Sequence, residues 1–237
     1  MFKIALSPGH YRYTAGKRCM KKLDPNETRE WVLNDRIADK VEKLLSAYDG
    51  YELLRVDDTT GEKGIDLETR VANANKWGAD FYLPIHHNAG ILGGKGGGIV
   101  AYVYKNVDAT TKAWQKDLYD ALIKKTGLKG NRSNPLATSN LYECRATSMP
   151  AVLLELGFMD SKTDVPIILT EDYANKCAEA IVEVLVKKGN LVKKPEINEV
   201  KTVYRVQCGS FAIKKNADEL KKKLKDAGFD AIIVKGE

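Results

Sequence analysis

The chain holds only three histidines, and their places suggest chemistry. His10 closes Ser7-Pro-Gly-His10 after one apolar run; His86 and His87 open His86-His-Asn-Ala89 after another. A third apolar run, Ala151 to Phe158, carries a single carboxylate, Glu155, where a strand should be leaving the core. Imidazole nitrogens and carboxylate oxygens gathered at one edge can hold a zinc ion, which in catalytic sites has three protein ligands and one open position. Open α/β sheets place ligands outside the carboxyl ends of their strands, so this spacing predicts a metal site there. The plain alternative is surface histidines that follow strands by chance.

Adjacent residues on a strand point to opposite faces, so His86 and His87 do not both reach one ion easily. His10 and His86 are therefore read as two ligands. Glu30, Asn34, Ile37, Val41 and Leu44 succeed one another at spacings of four and three, the period of one helix face. Glu30 heads that stripe and faces inward, where an unpaired carboxylate is costly, which makes it the third ligand. The competing reading is an acid favoured by the helix N-terminal dipole. A buried Glu155 beside a dication stays ionised and can take a proton from water. Its competing role is a structural ion pair with Arg145 or Arg70. Asn88, Arg70 and Arg145 are further candidates for orienting substrate or supporting the ligands, each with a structural alternative. Tyr11, Tyr13 and Lys17, on the loop after His10, either line a groove or are simply solvated.

The elements that must position these groups follow from hydrophobic period. Phe2–Leu6, Tyr51–Val56, Phe81–Ile85, Ile99–Tyr104 and Ala151–Leu156 read as strands. Helices are expected near Leu67–Lys76, Ala109–Lys125 and Glu171–Val186. Trp114, Leu118 and Leu122 line one face of the second, and Tyr173, Cys177, Ile181 and Leu185 one face of the third. The first helix should start at Asp24-Pro25-Asn26-Glu27, with Asp24 as cap and Glu27 closing a capping box. Strands alternating with helices predict an α/β fold, a mixed and mostly parallel twisted sheet flanked by helices. Gly93–Gly98 lies between two strands and reads as a flexible connection, not a phosphate loop. The expected division is a catalytic domain over 1–188, a linker over 189–201 and a small βαβ unit over 202–237. In that last unit Tyr204, Val206 and Cys208 alternate on one strand, Asn216 and Glu219 offer a capping pair, and Ala231–Val234 forms the second strand.

Composition narrows the classes. The length of 237 residues suits one full domain with a small appendage. No apolar stretch approaches the ~20 residues needed to span a bilayer. The opening Met-Phe-Lys-Ile-Ala-Leu reads as running straight into a core strand, so no export signal is expected. The expectation is synthesis in the cytoplasm. Cys19, Cys144, Cys177 and Cys208 form no C-x-x-C pair and are read as reduced thiols or core fillers. The net charge of +6, weighted toward Lys214–Lys225, favours any polyanion, nucleic acid or anionic cell-wall polymer alike, and alone says little. Neither nucleic acid nor a membrane is expected as a partner.

At this point the residues resemble a family. Ser7-Pro-Gly-His10, Glu30-x-x-x-Asn34-x-x-Ile-Ala38, Leu67-x-x-Arg70-x-x-x-Ala-Asn75, Ile85-His86-His87-Asn88-Ala89 and Pro150-Ala-Val-Leu-Leu-Glu155-Leu-Gly-Phe158 stand in the order of the zinc-dependent N-acetylmuramoyl-L-alanine amidases of the amidase-3 type. The resemblance covers about Met1 to Lys188. Ser7 and Pro84 depart from it, where the family carries Asp and commonly Ser. It implies zinc held by His10, Glu30 and His86, with Glu155 as acid and base. It also implies that the amide joining muramic acid to L-alanine in peptidoglycan is cut. Tyr204-Arg-Val-Gln-Cys-Gly-Ser-Phe211, Asn216-Ala217 and Gly228-Phe229 resemble the first half of a SPOR domain, a peptidoglycan-binding module. That implies glycan contacts by Gln207, Ser210 and Phe211, and two half modules would complete each other in a homodimer. The role read first is a phage lysin. The alternatives are a mother-cell autolysin of sporulation, a zinc peptidase cutting within stem peptides, and a non-catalytic wall-binding protein.

Overall fold

The chain runs β1 (Phe2–Pro8), α1 (Glu30–Leu45), β2 (Tyr48–Asp49), β3 (Tyr51–Arg55), α2 (Leu67–Trp77), β4 (Phe81–Asn88), β5 (Ile99–Val103) and α3 (Ala109–Thr126). It continues as β6 (Leu136–Thr138), α4 (Tyr142–Arg145), β7 (Leu153–Phe158), α5 (Val165–Ile168), α6 (Glu171–Gly189), β8 (Val192–Lys193) and α7 (Lys214–Asp226). These elements come from a computed structural model that describes residues 1–195 and 206–235. It divides into two compact units between Lys194 and Pro195.

In the first unit six strands form one sheet in the order β3-β1-β4-β7-β5-β6. All neighbours are parallel except β5 and β7. Alternation sorts the side chains. Ile4, Leu6, Phe81, Leu83, Ile85 and Leu154 join a large core with α1, α3 and α6, while Ala5, Tyr82 and Ala151 join a smaller one with α2. Phe81 stacks on Trp114 of α3 with ring centroids 3.9 Å apart; fully burying such a side chain contributes about 1.5–3 kcal/mol. The chain leaves β1 for β3 on one side and returns to β4 on the other. That reversal is a switch point of the kind that opens a ligand crevice at strand carboxyl ends.

Several expectations are corrected. Helix α1 begins at Glu30 with Arg29 as its N-cap residue, not at Asp24. Asp24 instead accepts the backbone N–H groups of Asn26 and Thr28 at 3.1 and 2.7 Å, and Glu27 has φ 50°. The acid is satisfied by a local turn that competes with helix. Leu44 lies toward solvent, and Leu33, Ala38 and Leu45 complete the buried stripe. The glycine run is tied down: Gly96, Gly97 and Gly98 donate to Thr163, Asn131 and Asp164. The expected linker start at Gly189 differs too, because Leu191 is buried and Val192–Lys193 pair with Tyr48–Asp49.

In the second unit the helix appears as α7, without a side-chain cap from Asn216. Val206, Cys208 and Ala231–Val234 form no strand, and Tyr204 lies outside the described residues. A strand needs a ladder partner, and none is present among the described residues of this unit. Phe229, Ile232 and Val234 stay exposed. Among the described residues no helix is long and apolar enough to cross a membrane.

Candidate metal centre

β1, β4 and β7 are adjacent in the sheet, and their carboxyl ends carry the groups singled out above. His10 follows β1 in the left-handed region, φ 69°. Arg70 of α2 is the clamp. Its guanidinium donates to the carbonyls of Pro8, His10 and Ile65 at 2.5, 3.0 and 3.0 Å, and to the Ser7 hydroxyl at 3.1 Å. Gly9 is required for close approach, since a Cβ there would lie 2.1 Å from Cε1 of His86.

Glu30, the first residue of α1, brings its carboxylate between the two imidazoles. Its Oε1 lies 3.3 Å from His10 Nε2 and 3.1 Å from His86 Nδ1. The rings of His10 and His86 meet edge to face with centroids 5.1 Å apart. One donor atom from each of His10, Glu30 and His86 falls within 4.8 Å of the others. Lys17 approaches Glu30 Oε2 at 3.6 Å. Burial works against the Glu30 charge, but the two imidazoles outweigh it and hold the carboxyl far below the usual range. Burial lowers His10. It works against charge on His86 as well, yet Glu143 and Glu30 raise that imidazole to about 10.

The donor set fits a metal. Two nitrogens and a carboxylate oxygen are zinc-type ligands, and His10 Nε2 and Glu30 Oε2 are buried without hydrogen-bond partners, as a shared cation would leave them. His87 turns the other way, as strand alternation requires. Its Nδ1 pairs with Asn34 Oδ1 at 2.8 Å, and burial drops it to about 3. Asn34 also donates to the Gly9 carbonyl at 3.1 Å, so α1 holds both histidine segments.

Glu155 stands directly opposite His86 in the parallel β4–β7 pairing. Its Oε2 is buried with no hydrogen-bond partner, and burial pushes the carboxyl up to about 7 against the pull of His86. Neither arginine pairs with it. Arg70 serves the β1 loop, and the exposed Arg145 donates to Asn140 at 3.0 Å. Asn88 accepts the N–H of Ala89, closing its own turn. Tyr13 bonds Glu62, and Tyr11 packs edge to face on Tyr13. In the second unit Gln207, Ser210 and Phe211 are exposed. Cys19, Cys144 and Cys177 are buried free thiols, and Cys208 is an exposed one.

Residues 4–187 match the N-acetylmuramoyl-L-alanine amidase family, four fifths of the chain and the whole of this site. The chain belongs to that family. A second match, to the SPOR domain, spans residues 178–236 of this amidase-family chain. A sporulation-specific N-acetylmuramoyl-L-alanine amidase of Bacillus subtilis is 31% identical over 99% of the chain and 85% of its own length. The endolysin of Bacillus phage SPP1 is 34% identical over 67% of the chain and 58% of its own length. Among solved structures, the amidase of Clostridium difficile 630 superposes with a TM-score of 0.71 at 24% identity, covering 80% of this chain and 97% of the other. The catalytic domain of CwlV from Bacillus (Paenibacillus) polymyxa var. colistinus gives 0.70 at 23%, covering 80% and 99%. These two show a shared fold.

Sequence reasoning missed one buried acid of the family member's site. Glu143, on the four-residue α4, accepts hydrogen bonds from Ser7 Oγ at 2.6 Å and Tyr82 OH at 2.8 Å. The signal was faint: Tyr142-Glu-Cys-Arg145 is too short for helical period, and a glutamate in a polar loop looks solvated.

Proposed function

We propose that the chain is a zinc-dependent amidase that hydrolyses the bond between N-acetylmuramic acid and L-alanine in peptidoglycan. The observation that carries this reading is the approach of His10, Glu30 and His86 to one another, with Glu155 on the same rung as His86. His10, Glu30 and His86 would hold the ion. Zinc, when bound, supplies a Lewis acid that polarises a carbonyl and makes water easier to deprotonate. Glu155 takes the proton from the attacking water at its free Oε2 and returns it to the departing L-alanine nitrogen. A carboxyl raised toward neutrality suits both transfers. Arg70 and Asn34 keep the His10 loop in place, and the low dielectric around Glu155 strengthens each charge interaction.

Analysis of the products tests this. Purified protein loaded with zinc and given bacterial walls should expose new N-terminal L-alanine and leave intact glycan. Chelation should abolish the release, and added zinc should restore it. Cleavage inside stem peptides would overturn the reading in favour of a peptidase; absence of metal and of any product would favour a non-catalytic wall-binding protein.

The setting of this activity has two readings. A phage lysin fits the endolysin likeness, which covers only 159 residues. A mother-cell autolysin of sporulation is favoured by the Bacillus subtilis relative, whose likeness runs through the tail over 235 residues. The tail beyond Lys194 is assigned to wall binding, with Gln207, Ser210 and Phe211 as glycan contacts, in keeping with the SPOR match. Exposed Val206, Ile213, Phe229, Ile232 and Val234 support pairing of two tails. Light scattering should then give a dimer at micromolar concentration; a monomer throughout would remove this part of the proposal.

A further inference from the structure

We propose that Glu143 is a positioning residue that fixes the ring orientation and tautomer of His86, leaving Nδ1 free for the metal. This rests on the zinc reading above and goes beyond it, since Glu143 is not among the three ligands.

The two nitrogens of His86 look in different directions. Nδ1 lies 3.1 Å from Glu30 Oε1, within the group that includes His10. Nε2 faces Glu143 Oε2 at 3.7 Å and has no hydrogen-bond partner among the described residues. A neutral imidazole has one N–H and one lone pair. A carboxylate can only accept, so Glu143 selects the tautomer with its proton on Nε2 and the lone pair on Nδ1. A side-chain shift of less than about 1 Å closes the gap to the length of a charge-assisted hydrogen bond.

The surroundings of Glu143 aim its second oxygen. Ser7 and Tyr82 both donate to Oε1, which leaves Oε2 to His86. The direction of each bond is determined. Arg70 has only donors and gives one to Ser7 Oγ at 3.1 Å, so the Ser7 proton is free to go to Glu143. The result is a buried relay from Arg70 through Ser7 and Glu143 to His86. Metal-bound histidines usually donate their other nitrogen to such a group, and losing it typically costs about 10–100-fold in affinity.

The alternative is that Glu143 merely braces α4 against the sheet, and Glu143→Gln separates the two. The amide keeps the shape and an oxygen for Ser7 and Tyr82, but presents N–H to Nε2 and so moves the ring proton to Nδ1. Zinc affinity of the full chain would be measured by competition with a fluorescent chelator, alongside thermal unfolding of the metal-free protein. We expect affinity to fall by about 10–100-fold with metal-free unfolding unchanged, and Glu143→Asp to recover part of the loss. A glutamine variant that binds zinc like the parent overturns the proposal, as does a loss matched by lost stability. Should that variant not fold, Tyr82→Phe carries the test: it frees Oε1 of one donor, and unchanged affinity then counts against the relay. A parent chain that binds no zinc at all overturns the metal reading itself, an outcome visible before any variant is made.

Discussion

Replacing Glu155 by alanine should leave zinc bound and slow amide hydrolysis by about 10²–10⁴-fold, the usual contribution of a positioned acid/base. Glu155 is not one of the three gathered donors, so the metal keeps its ligands. Water then attacks with no acceptor for its proton, and the leaving amine departs without one. Metal content and release of N-terminal L-alanine, measured on the same sample, check both halves. A fully active variant would take Glu155 out of the reaction. The fold should not suffer. Burial raises this carboxyl to about 7 in the folded chain, so between its unfolded value and that point the folded state binds more protons. Stability of the metal-free parent therefore falls as pH rises through that window. The alanine variant lacks this loss and should be at least as stable above pH 7.

Arg70→Ala should have the opposite profile, damaging the fold first and activity as a consequence. The guanidinium is almost fully buried and bonds three carbonyls and the Ser7 hydroxyl. Alanine leaves those acceptors unpaired in a low dielectric, deprives the buried Glu143 of a nearby cation, and opens a cavity. A cost of about 3–5 kcal/mol follows, which for a unit of this size lowers Tm by roughly 10 °C. The His10 loop loses its clamp, so zinc affinity should fall too. Calorimetry with and without zinc checks this; a variant melting within a degree or two of the parent would deny Arg70 its structural role.

Much of this was legible in the chain because the apolar period is strong where it matters. Phe81 to Ile85 and Leu153 to Leu156 are nearly continuous apolar runs, as strands covered on both faces must be. His86 and His87 follow the first run, and Glu155 lies within the second. Glu30 was found because a carboxylate heading an apolar stripe needs a cation. The start of α1 was misplaced because Asp24-Pro25 carries every local mark of a helix cap, and only the tertiary path shows that Asp24 closes a turn. Glu143 was missed for a different reason: its importance lies in Ser7, Tyr82 and His86, which are remote in sequence. The tail alternates as a strand would, but alternation does not supply a partner, and Val206, Cys208 and Ala231–Val234 form no strand.

The pairing of β4 with β7 has a consequence for how this site can vary. His86 and Glu155 share a rung, and just beyond them β7 takes an extra residue before Asn88 meets Phe158. Gly157, at φ 99°, lies in that irregular stretch, and a side chain there would meet Ile168. The ladder acts as a ruler that sets the distance between His86 and Glu155 without help from any loop. Surface loops around the cleft are therefore free to lengthen and diverge toward different wall chemistries. A single-residue deletion inside β7 is not tolerated in the same way, because one step of slip turns the acid to the opposite side of the sheet.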